Sequence, residues 1–152
     1  MKLRKAKLED VPFIVQMLAD DELGAKRENF QTPLPLSYIK AYEKIAADSN
    51  QELMVVESDT GEVIGTLQLS FITYLTYQGG TRAQIEAVRI RKDERGKGLG
   101  KKMFLWAVER AKERKAHVLQ LTTDKKRPKA ISFYEDLGFK ATHEGMKLHF
   151  NL

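Results

Sequence analysis

The sequence predicts one α+β domain built on a mixed, mostly antiparallel sheet. Three observations carry that expectation. Apolar residues recur with two different periods, the 3.6-residue stripe of a helix and the two-residue alternation of a strand. Strand-like runs cluster in the middle of the chain, at 53–57, 63–72 and 82–91, joined by turns that contain glycine. Finally, strand 82–91, the helical run after it and strand 118–122 form a β-α-β unit, whose parallel strands require a right-handed crossover. The length of 152 residues matches one domain, read as residues 1–152.

Each element has a local reason. Residues 3–6 read as a short strand. Residues 9–19 read as a helix, with Val11, Ile14, Val15 and Leu18 at i, i+3, i+4 and i+7 and with Asp10 and Pro12 in the first turn. Residues 20–34, rich in charge and proline, read as a loop. A second helix spans about 36–48, with Tyr38, Ala41, Tyr42 and Ile45 on one face. Asp59-Thr60-Gly61-Glu62 is a hairpin turn, and Gln78-Gly79-Gly80 turns the chain into strand 82–91. Leu99, Met103, Trp106 and Ala107 line the inner face of a helix over about 99–115. After strand 118–122, Ala130, Phe133, Tyr134 and Leu137 mark a further helix, opened by Pro128 and closed by Gly138. Two short strands, 139–142 and 145–150, are expected last.

Composition excludes several classes. At 42% hydrophobic residues the chain is not disordered and can bury a two-layer core. It has no cysteine, which removes disulfides, thiolate metal sites and a covalent cysteine intermediate, and fits a reducing, cytoplasmic compartment. No apolar run approaches the roughly 20 residues of a membrane span, and Met1-Lys2-Leu3-Arg4-Lys5 lacks the apolar core of a signal peptide. No spacing suggests a metal site, so His117 and His143 read as structural or exposed.

The net charge of +5 is unevenly placed. Arg89, Arg91, Lys92, Arg95, Lys97, Lys101 and Lys102 crowd one stretch and Lys125, Lys126, Arg127 and Lys129 another, while Asp20, Asp21, Glu22, Glu28 and Glu43 gather elsewhere. One region suits an anion and another a cation. Nucleic acid is not the expected partner, because no helix-turn-helix pair stands out.

The anion region centres on Arg95-Gly96-Lys97-Gly98-Leu99-Gly100-Lys101-Lys102, a glycine-rich turn between a strand and a helix. Such a turn presents unpaired backbone N–H groups at the positive end of a helix, a site for phosphate. The nucleoside-triphosphate loop requires four residues between its glycines and a hydroxyl after its lysine; Gly96 and Gly100 enclose three, and Lys102 has no hydroxyl. The dinucleotide fingerprint would need a glycine where Met103 stands.

What fits is R/Q-x-x-G-x-G/A at Arg95–Gly100, followed about 30 residues later by Ala130-Ile131-Ser132-Phe133-Tyr134-Glu135-Asp136-Leu137-Gly138-Phe139. With these two motifs and the element order, essentially the whole chain resembles the GNAT superfamily of acyl-CoA-dependent N-acetyltransferases. The resemblance implies a mixed sheet with a central, splayed parallel strand pair and about four helices on its two faces. It implies direct transfer of an acetyl group from acetyl-CoA to a primary amine, either a small cationic amine or a protein amine, with no metal. A homodimer is the family expectation. The alternative is an acyl-CoA-binding sensor of the same fold, linked to transcription.

The resemblance also assigns residues. The loop, through Arg95, Gly96, Lys97, Gly98, Gly100 and Lys101, would hold the coenzyme A pyrophosphate. Backbone groups of Val88 and Ile90 would pair with the pantetheine arm, and a backbone N–H near Val88 would face the thioester oxygen. Tyr134 would protonate or hydrogen-bond the departing thiolate; the competing reading makes it a core residue. Glu86, nine residues before Arg95, would take the amine's proton directly or through water; otherwise it pairs with Arg82 or Arg89. Strict alternation puts Glu86 on one face with Gln84, Val88 and Ile90. Arg127 stands where many relatives have Asn, so either that contact is absent or Arg127 reaches phosphate. Lys125, Lys126 and Lys129 face the 3′-phosphate or solvent. The acceptor is expected against the 20–38 region, where Asp20, Asp21, Glu22 and Glu28 would draw a cation and Tyr38, Tyr42, Tyr74 and Tyr77 would form walls.

Overall fold

Five runs with strand periodicity lie side by side in one open sheet: β1 (Lys2–Lys5), β2 (Gln51–Glu57), β3 (Val63–Thr73), β4 (Thr81–Ile90) and β5 (Val118–Gln120), in that spatial order. The structure is a computed structural model and describes residues 1–151. The first three pairings are antiparallel and β4–β5 is parallel. The crossover between the parallel strands contains α5 (Leu99–Glu113). The α+β class and the mostly antiparallel sheet with one parallel pair are as the sequence predicts.

Because β2 and β3 are buried on both sides, their alternation sends residues into two cores. Met54, Val56, Leu67, Leu69, Ala83 and Ile85 pack under Leu99, Met103, Phe104 and Ala107 of α5. On the other face Val55 and Val63 meet Ile14 and Met17 of α1 (Val11–Leu18). α3 (Leu36–Ala47) rests on the same side of the molecule as β2, and Tyr42 donates to the Ala6 carbonyl at 3.3 Å. α6 (Pro128–Asp136) follows β5. Among the described residues no helix is long and apolar enough to cross a membrane.

Four local expectations change. Residues 20–34 are not all loop: α2 (Glu22–Arg27) forms because the Asp21 carboxylate accepts from the Gly24 amide at 2.5 Å, an N-cap within the acidic cluster. The turn before β4 is a short element, α4 (Thr76–Gly79), with Tyr77 and Gln78 at φ 53° and 58°, so the α-helices number six among the described residues. The terminal strands 139–142 and 145–150 do not form; no strand pairs with either segment among the described residues. As a result, the parallel pair lies at the end of the sheet rather than at its centre.

Two buried carboxylates fasten distant elements. Asp10 accepts a fork from Arg4 at 2.7 and 3.0 Å and the Lys7 amide at 2.7 Å. Glu52, only 4% exposed, binds Arg110 at 2.6 Å and Arg114 at 3.0 Å, joining β2 to the last turn of α5. Burial pushes the Glu52 carboxyl up, but the two guanidiniums outweigh it and hold it below the usual carboxylate range.

Replacing Glu52 with Ala is expected to cost roughly 1–3 kcal/mol of stability, since two half-buried cations lose their shared partner. Because the folded carboxyl binds its proton less readily than the unfolded one, this contribution is present above the ordinary Glu pKa of about 4.3. It is lost as pH falls. Urea titrations at neutral and acid pH should show wild type and Glu52→Ala well separated at pH 7 and converging towards pH 3.

Candidate active site

β4 is paired along its length with β3 but with β5 over only three residues, from Arg82↔Val118 to Gln84↔Gln120. Just past that point β4 bulges. Gln68 faces Glu86 and Thr66 faces Arg89, so Ala87 and Val88 together oppose Leu67. Ala87 takes φ 53°, a left-handed conformation costly for a residue with a Cβ. The extra residue inverts the alternation. Before the bulge Ala83 and Ile85 enter the core; after it Val88 and Ile90 pack there. The expectation that Glu86 shares a face with Val88 and Ile90 is thereby corrected: Gln84 and Glu86 lie on the opposite face.

Beyond Ile90, a single turn at Lys92–Glu94 leads into the glycine loop. Gly96 and Gly98 have φ 76° and 80°, and Gly98 caps α5. The Lys102 amide bonds the Gly98 carbonyl at 3.3 Å, and the preceding amides of Leu99, Gly100 and Lys101 have no acceptor within the helix. Gly100 lies against β4 and α6, where a Cβ would come within 3.3 Å of Ile90 Cδ1 and 3.6 Å of Phe133 Cζ. Lys97 reaches Glu94 at 3.3 Å, and Lys101 is exposed. Arg95 donates from Nε to the Ile90 carbonyl at 3.0 Å and from its guanidinium to Asp20 at 3.0 Å. Free amides at the positive end of a 15-residue helix, flanked by exposed cations, fit a phosphate-bearing substrate.

The second motif sits beside this loop. The Tyr134 ring is half-buried and edge-on to Phe104, Phe133 and Phe139, with centroids 5.4, 5.6 and 6.2 Å away. Burial pushes the phenol above its usual pKa, against the opposing charges of Arg127 and Arg89, so it is protonated at neutral pH. The ring of Tyr134 packs against the core, and its hydroxyl keeps its proton at neutral pH. Arg127, at the head of α6, is committed to Asp21 at 2.6 Å. Asp21 also faces Arg89 at 3.8 Å. Burial raises the Asp21 carboxyl, but the Gly24 amide, Arg127 and Arg89 overcome that and hold it below the usual range. Burial draws the Arg89 guanidinium below its ordinary value, with Asp21 opposing, and its Nε is buried without a partner among the described residues.

On the other face of β4, Gln120 donates to Gln84 at 2.9 Å and Gln84 to Glu86 at 2.6 Å. Neither Arg82 nor Arg89 pairs with Glu86. Arg82 lies over the Tyr74 and Tyr77 rings, 4.7 and 5.7 Å from their centroids. Among the described residues no cation is within ion-pair distance of Glu86. The acids expected to attract an amine are already engaged: Asp20 by Arg95, Asp21 by Arg127, Glu22 by Lys26 at 3.9 Å and Glu28 by Arg27 at 2.9 Å. Tyr38 is tied as well, donating to Glu28 at 3.2 Å and accepting from the Asn29 amide at 2.9 Å. His117 stacks on Tyr77 and His143 is exposed beside Thr142. Lys125 lies 4.0 Å from Glu144, and Lys126 and Lys129 are exposed. No group of His, Cys, Asp and Glu suited to a metal occurs among the described residues.

Two residues of the site escape sequence reasoning. Ala87 leaves no trace, because alanine in a strand signals nothing about φ. Asp21 does leave one: an acid three residues before Gly24, at the head of a short helical run, is a capping pattern.

A family model described as the acetyltransferase (GNAT) family matches residues 15–139. The chain belongs to the GNAT acetyltransferase family. A solved structure described as a transcriptional regulator from Bacillus halodurans C-125 is 53% identical, with a TM-score of 0.94 covering 98% of this chain and 99% of that one. The L-methionine sulfoximine/L-methionine sulfone acetyltransferase of Pseudomonas aeruginosa is 26% identical over 138 residues, 91% of this chain and 79% of that protein. The aminoalkylphosphonate N-acetyltransferase of Salmonella typhimurium is 30% identical over 83 residues, 55% of this chain and 53% of that protein. GNAT acetyltransferases take an acetyl group from acetyl-CoA, and the free amides of this GNAT loop match the charge of its phosphates.

Replacing Gly98 with Val is expected to weaken acetyl-CoA binding about tenfold or more, by strain at positive φ and by holding backbone away from phosphate. Gly61, at φ 86° in the β2–β3 hairpin, provides a control, because Gly61→Val carries similar strain outside the loop. Isothermal titration with acetyl-CoA should show the loss for Gly98→Val alone.

Proposed function

We propose that this protein transfers an acetyl group directly from acetyl-CoA to a primary amine of a small cationic molecule or a protein. The observation that carries the reading is Glu86. It is an accessible carboxylate without a cationic partner among the described residues, beside the point where β4 and β5 part.

Phosphates of acetyl-CoA bind the amides of the loop from Gly96 to Lys101, with Arg95 and Lys97 alongside. Arg127 stays on Asp21 or exchanges it for phosphate. The pantetheine arm lies along the backbone of Val88 and Ile90, which no strand pairs on that side among the described residues. The bulge at Ala87 turns backbone amides near Val88 out of the ladder, where one donates to the thioester oxygen as negative charge develops. Glu86 attracts the ammonium form of the acceptor and takes its proton, directly or through water. The neutral amine attacks the carbonyl carbon and the C–S bond breaks. As the amide forms, the nitrogen loses its second proton to solvent, and Tyr134 donates its own proton to the sulfur and regains one from solvent, leaving an amide and free coenzyme A. No residue becomes acylated. The absence of cysteine supports a cytoplasmic setting.

One observation favours a second reading, an acyl-CoA-binding regulator: the solved structure 53% identical to this chain is described as a transcriptional regulator. Thiol release from acetyl-CoA across a panel of polyamines, amino acids and peptides separates the two. Release with a particular amine, lost in Glu86→Gln, supports the enzyme; tight acetyl-CoA binding with no release on any acceptor supports the regulator.

Replacing Tyr134 with Phe is expected to lower kcat about 10- to 100-fold with less than a threefold change in KM for acetyl-CoA, since the ring packing is kept. Glu86→Gln is expected to lower kcat/KM for the amine about 100-fold, with partial recovery at higher pH, where more of the amine is neutral. Because the Tyr134 phenol is raised, its ionisation should not depress the wild-type rate below pH of about 10. Steady-state pH–rate profiles of the three proteins test both expectations.

A further inference from the structure

The bulge in β4 also brings two opposite charges onto one face of the sheet. Glu86 and Arg89 are three positions apart, an odd spacing that strict alternation sends to opposite faces. The extra residue cancels that offset. Gln68 and Thr66, which oppose them, are two positions apart on β3. The backbones of Glu86 and Arg89 therefore lie roughly 7 Å apart, the rise of two strand residues. Val88 and Ile90 pack in the main core, so Arg89 stands on the other face with Gln84 and Glu86. The two charges do not pair with each other. Glu86 takes a hydrogen bond from Gln84, and Arg89 turns towards Asp21.

Arg89 is a cation short of partners. Its side chain is 15% exposed. A guanidinium has five N–H donors. Among the described residues Arg89 uses one, from Nη1 to the Val88 carbonyl at 2.9 Å, and its Nε is buried with no partner. Asp21, the one carboxylate within ion-pair reach among the described residues, stands 3.8 Å from Nη2, beyond hydrogen-bond length. Asp21 is already committed to Arg127 at 2.6 Å and to the Gly24 amide at 2.5 Å. Two guanidiniums thus share one carboxylate, and a positive charge is left over at a largely buried position. Such a charge is costly unless an anion joins it. The charges of Arg89 and Arg127 both reach the Tyr134 phenol, so the surplus lies beside the group that faces the thiolate.

We propose that Arg89 binds an acid group of the acceptor, a carboxylate or a phosphoryl group, while Glu86 receives its amine. The acceptor is then a small amine that carries an acid within a few bonds, such as an amino acid. This rests on the protein being an amine acetyltransferase, and narrows the acceptor. A short zwitterion satisfies both ends: its ammonium meets the carboxylate that has no cation, and its acid meets the guanidinium that has no close carboxylate. The planar fork of Arg89 suits the paired oxygens of either acid. A polyamine would bring further positive charge to a cluster that already has too much.

Initial rates of thiol release from acetyl-CoA with matched pairs of amines test this. Each L-amino acid is set beside its primary amide, and phosphoethanolamine beside ethanolamine; the two kinds of pair tell carboxylate from phosphoryl. In at least one pair the acid-bearing member is expected to show a kcat/KM about 30-fold or more above its counterpart. The acid-free amines are the less basic ones and are more often neutral, so that preference cannot come from the supply of neutral amine. In Arg89→Gln the ratio should fall below about three. In Arg89→Lys, which keeps a charge beside Asp21 but loses the fork, it should fall to an intermediate value. Thermal melts report whether each variant is folded, and Arg89→Lys alone carries the test if Arg89→Gln is not. Equal rates within every pair, or a preference unchanged in the folded variants, overturn the proposal and leave amine acetylation standing. No thiol release with any amine overturns the acetyltransferase instead. Isothermal titration of the same compounds into the protein saturated with coenzyme A then decides. Binding of acid-bearing members alone, lost in the variants, upholds the acid site; no binding, or equal binding within pairs, overturns it.

Discussion

The site depends on how β4 meets two incompatible demands. On one side it must stay hydrogen-bonded to β3, because Ala83 and Ile85, and then Val88 and Ile90, pack in the main core. On the other it parts from β5 after Gln84, so that its later backbone groups have no strand beside them there among the described residues. A regular strand does both poorly. The bulge at Ala87 and Val88 resolves the conflict by adding one residue where the parallel pairing has just ended. Its cost is a left-handed alanine, which the β3 ladder on either side holds in place. Its consequence is that the side chains of Glu86 and Val88 part to opposite faces of the sheet.

Charge is distributed around this gap with the same economy. Asp20 and Asp21 bind Arg95, Arg127 and Arg89, drawing the start of α2 over the second motif and the glycine loop. The acids of this segment neutralise the arginines that flank the phosphate site, whereas Glu86 is held by an amide chain from Gln120 and Gln84 that supplies hydrogen bonds but no charge. Tyr134 is complementary to it: buried among three phenylalanines, its phenol keeps its proton at neutral pH.

Much of this was legible in one dimension because it is local. The spacing of Gly96, Gly98 and Gly100 before a helix declares free amides, and Pro128 and Gly138 bracket the helix that carries Tyr134. The strands at 53–57, 63–72 and 82–91 followed from periodicity and glycine-containing turns. Legibility failed where a residue's role is conferred by something distant. Asp21 looked like a loop acid because its arginine partners, Arg89 and Arg127, lie 68 and 106 positions away. The strand pattern of 146–150 is real, but a strand needs a neighbour, and none of the described residues supplies one within the chain.

The sequence by itself determined the chemistry available: which backbone amides are free, which helix carries the phenol, which strand carries the carboxylate, and that the protein brings no cysteine thiol. These follow from side-chain identity and short-range conformational preference. Only the tertiary structure decided that Glu86 is left without a cationic partner among the described residues, and on which face of the sheet it stands. Both depend on one inserted residue in β4 and on ion pairs between segments far apart in the chain. Register and long-range pairing arise from packing the whole sheet at once, so no local window contains them.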